Sequence, residues 1–126
     1  MRVLGIPLVV LSVLAVTSSD EPTEAAMRAA FETRLAAQVR SVLDFVAETG
    51  GPEAVDKVRE ARTDEFDIRW FRKLDCSRSA RRPGHVCEFA VRVGVVSGTI
   101  EQTMTGRFYF GARGLVFAYE DIPTDA

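Results

Sequence analysis

The chain has 126 residues, of which 47% are hydrophobic and 27% charged, and a formal net charge of −2. That is enough for one domain, too little for two independent cores, and too apolar for a disordered tail. The near balance of charge gives no global reason to expect nucleic acid or an acidic polymer as a partner.

The apolar residues are unevenly spread. Arg2 precedes an apolar run over 3–16 that is broken only by Gly5, Pro7 and Ser12, and Thr17, Ser18, Ser19 and Asp20 follow it. A basic start, a short apolar stretch and small residues behind it form the pattern of a secretory signal peptide. The run falls short of the roughly 20 residues that span a bilayer as a helix. Val16 and Ser18 suit the positions three and one before a cleavage point. The expectation is therefore a signal peptide over 1–18 and a single α+β domain over 19–126, periplasmic or secreted, with no transmembrane segment after cleavage.

Residues 21–49 carry a helical pattern, with Met27, Phe31, Leu35, Val39, Val42 and Val46 recurring at steps of three and four. Asp20 or Ser19 is placed to cap this helix, and Pro22 to occupy its first turn. Gly50 and Gly51 predict its end. Pro52 then opens a short second helix over 53–62, with Ala54, Val55, Val58 and Ala61 inward.

After Asp64 the period changes to two, and nine of the eleven aromatic residues lie from Phe66 onward. Phe66, Ile68 and Trp70 predict the inner face of a first strand. His85, Cys87, Phe89, Val91 and Val93 do so for a second, Ile100, Met104, Phe108 and Phe110 for a third, and Leu115, Phe117 and Tyr119 for a fourth. Connections too short for crossovers imply an antiparallel meander. The expected fold is α+β: a long N-terminal helix, plus the short second one, packed on a curved four-stranded antiparallel sheet.

Element order, together with FRKLDC at 71–76 and GHVCEF at 84–89, resembles small secreted bacterial proteins of cystatin-like or NTF2-like architecture over residues 21–120. The resemblance implies a fold more than an activity. Residues 94–98, Gly-Val-Val-Ser-Gly, partly match the cystatin inhibitory hairpin Gln-x-Val-x-Gly through Val96 and Gly98. The glutamine is missing, and a glycine-bounded turn accounts for the same residues.

Cys76 and Cys87 are the only cysteines, and in an oxidising compartment they are expected to pair with each other. A metal site would need two further ligands where His85 is the sole histidine, and a redox pair would need closer spacing. No metal or cofactor is expected. His85 has neither a Gly-x-Ser-x-Gly elbow nor a His-Glu-x-x-His partner, which leaves it without a catalytic context. Asp64, Glu65 and Asp67 sit at a helix-to-strand junction, where carboxylates are normally solvated. An NTF2-like enzyme would draw its acid and base from Tyr109, Tyr119 or Asp67.

The most distinctive local feature is basic. Arg72, Lys73, Arg78, Arg81 and Arg82 cluster around the cysteine loop, and guanidinium groups pair well with phosphate and carboxylate. The preferred expectation is thus a non-enzymatic envelope protein that binds another protein or an anionic surface, with no role for nucleic acid. The alternatives are an NTF2-like carrier or isomerase-like enzyme for a small apolar ligand, in a pocket of Phe31, Phe45, Trp70, Phe108 and Phe117, and a cysteine-protease inhibitor.

Overall fold

The computed structural model describes residues 21–119, so the signal-peptide expectation over 1–18 lies outside the described residues. One long helix, α1 (Glu24–Ala61), is followed by β1 (Phe66–Arg78), β2 (His85–Val95), β3 (Gly98–Gly111) and β4 (Gly114–Tyr119). The strands form one open antiparallel sheet in the order β1-β2-β3-β4, with the helix on one face, an α+β architecture.

The helix begins later than the sequence implied. Thr23 is its N-cap, and its hydroxyl accepts a hydrogen bond from the Ala26 amide at 3.1 Å, which leaves Pro22 outside the first turn. The separate short helix does not appear as an element of its own. Helical structure resumes directly after a kink at Gly51, where φ is 74° and ψ is −175°. Pro52 disfavours helical angles in the residue before it, and glycine alone takes this positive φ without strain. The run ends at Arg62, which is left-handed (φ 60°), while the Thr63 amide donates to the Val58 carbonyl at 3.3 Å.

The core is an aromatic wedge. Phe31 descends from the helix onto Phe71, Phe89 and Phe117, with ring centroids 5.9, 5.3 and 5.4 Å away, and Phe108 completes the cluster against Phe89 and Phe117. Met27, Ala30, Ile68, Cys87 and Val91 fill the space between. The expected disulfide is present, joining Cys76 and Cys87 as directly paired residues of β1 and β2. For a loop of this length the chain-entropy model gives about 3 kcal/mol of stabilisation.

β1 corrects the simple alternation. Its register against β2 slips between Ile68 and Trp70, and again between Lys73 and Asp75, so Arg69 and Leu74 are extra residues. The first bulge turns Phe71 inward and sends Trp70 to the opposite face, where the Arg72 guanidinium lies 5.1 Å from its ring. That outer face also carries the ion pairs Arg69–Asp67 and Arg92–Glu101, as befits a sheet with one solvated side.

The N-terminal end of α1 is tied to β1 by polar contacts. The Lys73 ammonium donates to the Pro22 carbonyl at 2.8 Å and pairs with Glu21 at 2.7 Å, while the Lys73 amide donates to Glu24 at 2.9 Å. Arg28 donates to the Ile68 carbonyl at 2.7 Å, next to the first bulge.

Two expectations follow. A Cβ on Gly106 would lie 2.1 Å from the Phe117 ring, which is held on its other sides by Phe31, Phe89 and Phe108. Gly106→Ala should therefore cost about 1–3 kcal/mol of stability in chemical denaturation. The Lys73 ammonium, by hydrogen bond and charge, holds the exposed Glu21 carboxyl below its ordinary pKa. The contact thus stabilises the fold above the unfolded carboxylate pKa and is lost as pH falls through the lowered one. In urea titrations from neutral to acid pH, Glu21→Gln should flatten the acid limb slightly.

Candidate functional site

The apolar stripe of α1 continues well beyond Phe31, but the sheet does not follow it. Leu35 is half-buried, Val42 is 59% exposed and Phe45 64% exposed. Between this raised half of the helix and the sheet lies a cleft of about 410 Å³. Its roof is Leu35, Val39, Val42 and Leu43, and its floor Val91, Val93, Val95, Ile100 and Met104. The size falls within the range of small-molecule sites, roughly 300–1,000 Å³.

A few polar groups stand among these aliphatic walls. Tyr119 donates its hydroxyl hydrogen to Gln38 Oε1 at 3.1 Å, and Arg34 lies over its ring with the guanidinium carbon 5.3 Å from the centroid. Gln102 lines the floor, and Thr63, Asp64 and Glu65 one end. Glu65 is paired with Arg62 at 2.9 Å. Asp64 Oδ1 is shielded from solvent and has no hydrogen-bond partner in the protein, so it is not presented to the cleft. The arrangement can enclose an apolar body.

The sequence-derived pocket is largely redistributed. Phe31 lines the cleft, whereas Phe108 and Phe117 are buried in the solid aromatic core beside it. Phe45 points to solvent on the helix, and Trp70 is on the other face of the sheet because of the bulge at Arg69. The cleft is walled instead by Val39 and Val42, which periodicity places on the helical face, and by Val91 and Val93, which it places on the inner face of the second strand. Asp64 was read as a solvated junction residue. No local signal separates these positions from core, because an apolar stripe has the same spacing whether or not a second surface reaches it.

The basic cluster is likewise divided. Lys73 faces the helix, where Glu21 and Pro22 hold it, and Arg72 lies against Trp70 on the outer face. Arg78, opposite His85 at the end of β1, is engaged as well. Arg81 and Arg82 are exposed on the connection between β1 and β2, which is held by Ser79 N–H to Gly84 carbonyl at 2.9 Å and Arg107 to Pro83 carbonyl at 2.9 Å. His85 is half-buried at the start of β2. Asp67 is on the outer face, paired with Arg69, and Tyr109 lies under Arg107 at 4.5 Å, so neither faces the cleft.

Among the described residues, no cluster of three or more potential metal ligands occurs, and no helix is long and apolar enough to cross a membrane. No family model, curated protein or solved structure matches this chain.

Proposed function

We propose that this chain is an exported, non-enzymatic binding protein that holds a small apolar ligand in the cleft between α1 and the sheet. The observation that carries the proposal is the cleft itself: a space of about 410 Å³ walled by aliphatic side chains of both layers, beside a core that is otherwise filled. A pocket between helix and sheet is also what the resemblance to NTF2-like architecture implies. The aliphatic walls favour a ligand with an apolar body, with Gln38, Gln102 and Tyr119 as the polar side chains at its margin. The Cys76–Cys87 bond is compatible with an oxidising compartment and hence with export.

Titration with an uncharged naphthylamine dye, read from the dye's own emission, tests the reading. Saturable binding is expected, weakened about tenfold or more by Val42→Glu, which sets a carboxylate on the roof at a position exposed enough to leave the fold intact. Equal binding by the variant would refute the assignment. Trp70 emission should stay constant throughout, because that ring is on the far side of the sheet.

A second proposal keeps an anionic surface or an envelope protein as the partner. It is favoured by the exposure of Arg81 and Arg82 on a loop closed at its base by the disulfide. The double variant Arg81→Ser, Arg82→Ser should lose salt-sensitive retention on anionic vesicles at low ionic strength. Unchanged retention would remove the loop from consideration.

A further inference from the structure

The sheet has two edges, and they are treated differently. On the β1 edge, the two bulges break the line, Arg28 takes the Ile68 carbonyl, and Glu24 takes the Lys73 amide. These are familiar means of making an edge unsuitable for further pairing. The other edge is only half covered. β4 pairs with residues 106–111 of β3, and residues 98–105 have β2 on one side and, among the described residues, no strand on the other. This free stretch runs along the cleft, with Ile100, Gln102 and Met104 on its inner side. All of it is exposed except Met104, and Ile100 is 50% exposed.

We infer that this free segment of β3 pairs antiparallel with the same segment of a second copy, making one continuous sheet and joining the two clefts. Identical antiparallel strands in one sheet are related by a two-fold axis perpendicular to it, so residues opposite one another must lie on the same face. The axis therefore passes through a residue. Two choices bring seven residues of each copy together without running into β4. Centring on Glu101 sets two like charges face to face. Centring on Gln102 sets Ile100 against Met104 of the partner subunit, Glu101 against Thr103 of the partner subunit, and the two Gln102 side chains against each other, where amides can donate and accept mutually. The second register is free of like-charge pairs and continues the apolar floor across the axis.

By composition alone, residues 120–126 (Glu-Asp-Ile-Pro-Thr-Asp-Ala) are unlike a strand, with three acids and a proline in seven residues. A second copy offers Ile100 and Met104 at this edge instead. The cleft gains a wall on the side where β4 stops short, whether or not it holds a ligand.

The register makes the test specific. In the full chain with Cys76–Cys87 intact, Gln102→Cys should form an intermolecular disulfide under mild oxidation, because that position faces itself across the axis. Thr103→Cys faces Glu101 of the partner subunit and should give about tenfold less linked dimer, whereas a mixture of Thr103→Cys and Glu101→Cys should link efficiently. Light scattering on the unmodified chain should give twice the chain mass at high micromolar concentration, and Ile100→Lys should shift it toward monomer. A monomer at those concentrations, or equal linking at positions 102 and 103, would overturn the inference. So would dimerisation that appears only after residues 120–126 are removed, since it would assign the edge to the chain's own tail. Dye binding by the Thr103→Cys monomer, whose altered side chain is on the face away from the cleft, shows whether the cleft assignment stands independently.

Discussion

Phe31 is the contact on which the arrangement turns. Its ring reaches residues from β1, β2 and β4 at once, so a single helical side chain determines where α1 crosses the sheet. The Phe31 ring sits edge-on to Phe89 and Phe117, geometries that aromatic quadrupoles favour. Gly106 makes this possible from below, because only a residue without Cβ lets the Phe117 ring lie so close to the β3 backbone. The polar ties of Lys73 to Glu21, Glu24 and Pro22 lie on the N-terminal side of the wedge. The helix is therefore held over its first two turns, and beyond Leu35 its apolar stripe stands over the cleft, with Gln38 hydrogen-bonded to Tyr119 of β4.

Much of the architecture was legible in the residues because two periods are hard to mistake. The recurrence of Met27, Phe31 and Leu35 specifies one helical face, and the alternation of Cys87, Phe89 and Val91 specifies one sheet face, and all of these turn to the core or its margin. Short connections exclude parallel pairing, and the meander follows. What periodicity cannot carry is an inserted residue. Nothing in Ile68-Arg69-Trp70-Phe71 marks Arg69 as a bulge, yet that one residue exchanges the faces of Trp70 and Phe71. The kink is a milder case: Gly50, Gly51 and Pro52 announced a break, and the backbone turns at Gly51 without leaving helical structure behind it.

The candidate site was less legible for a related reason. A stripe of valines and leucines reads as core whether or not a second surface reaches it, so Val39 and Val42 carry no local mark of lining a cleft. Asp64 looks like any junction carboxylate until three dimensions place it at the end of that cleft. Charge clusters suffer the converse error. Arg72, Lys73, Arg81 and Arg82 are near neighbours in sequence, but a strand sends consecutive residues to opposite faces, and the four end in three different environments.

A helix seated on one aromatic wedge acts as a lever. Phe45 lies fourteen residues beyond Phe31, about 21 Å along the axis at 1.5 Å per residue. A tilt of about 5° around Phe31 would therefore carry the far end through about 2 Å, comparable with the radius of a methyl group. The aperture of the cleft is thus set at a distance, by how tightly the aromatic wedge is packed. Substitutions in that core, remote from any bound molecule, are positioned to tune what the cleft admits.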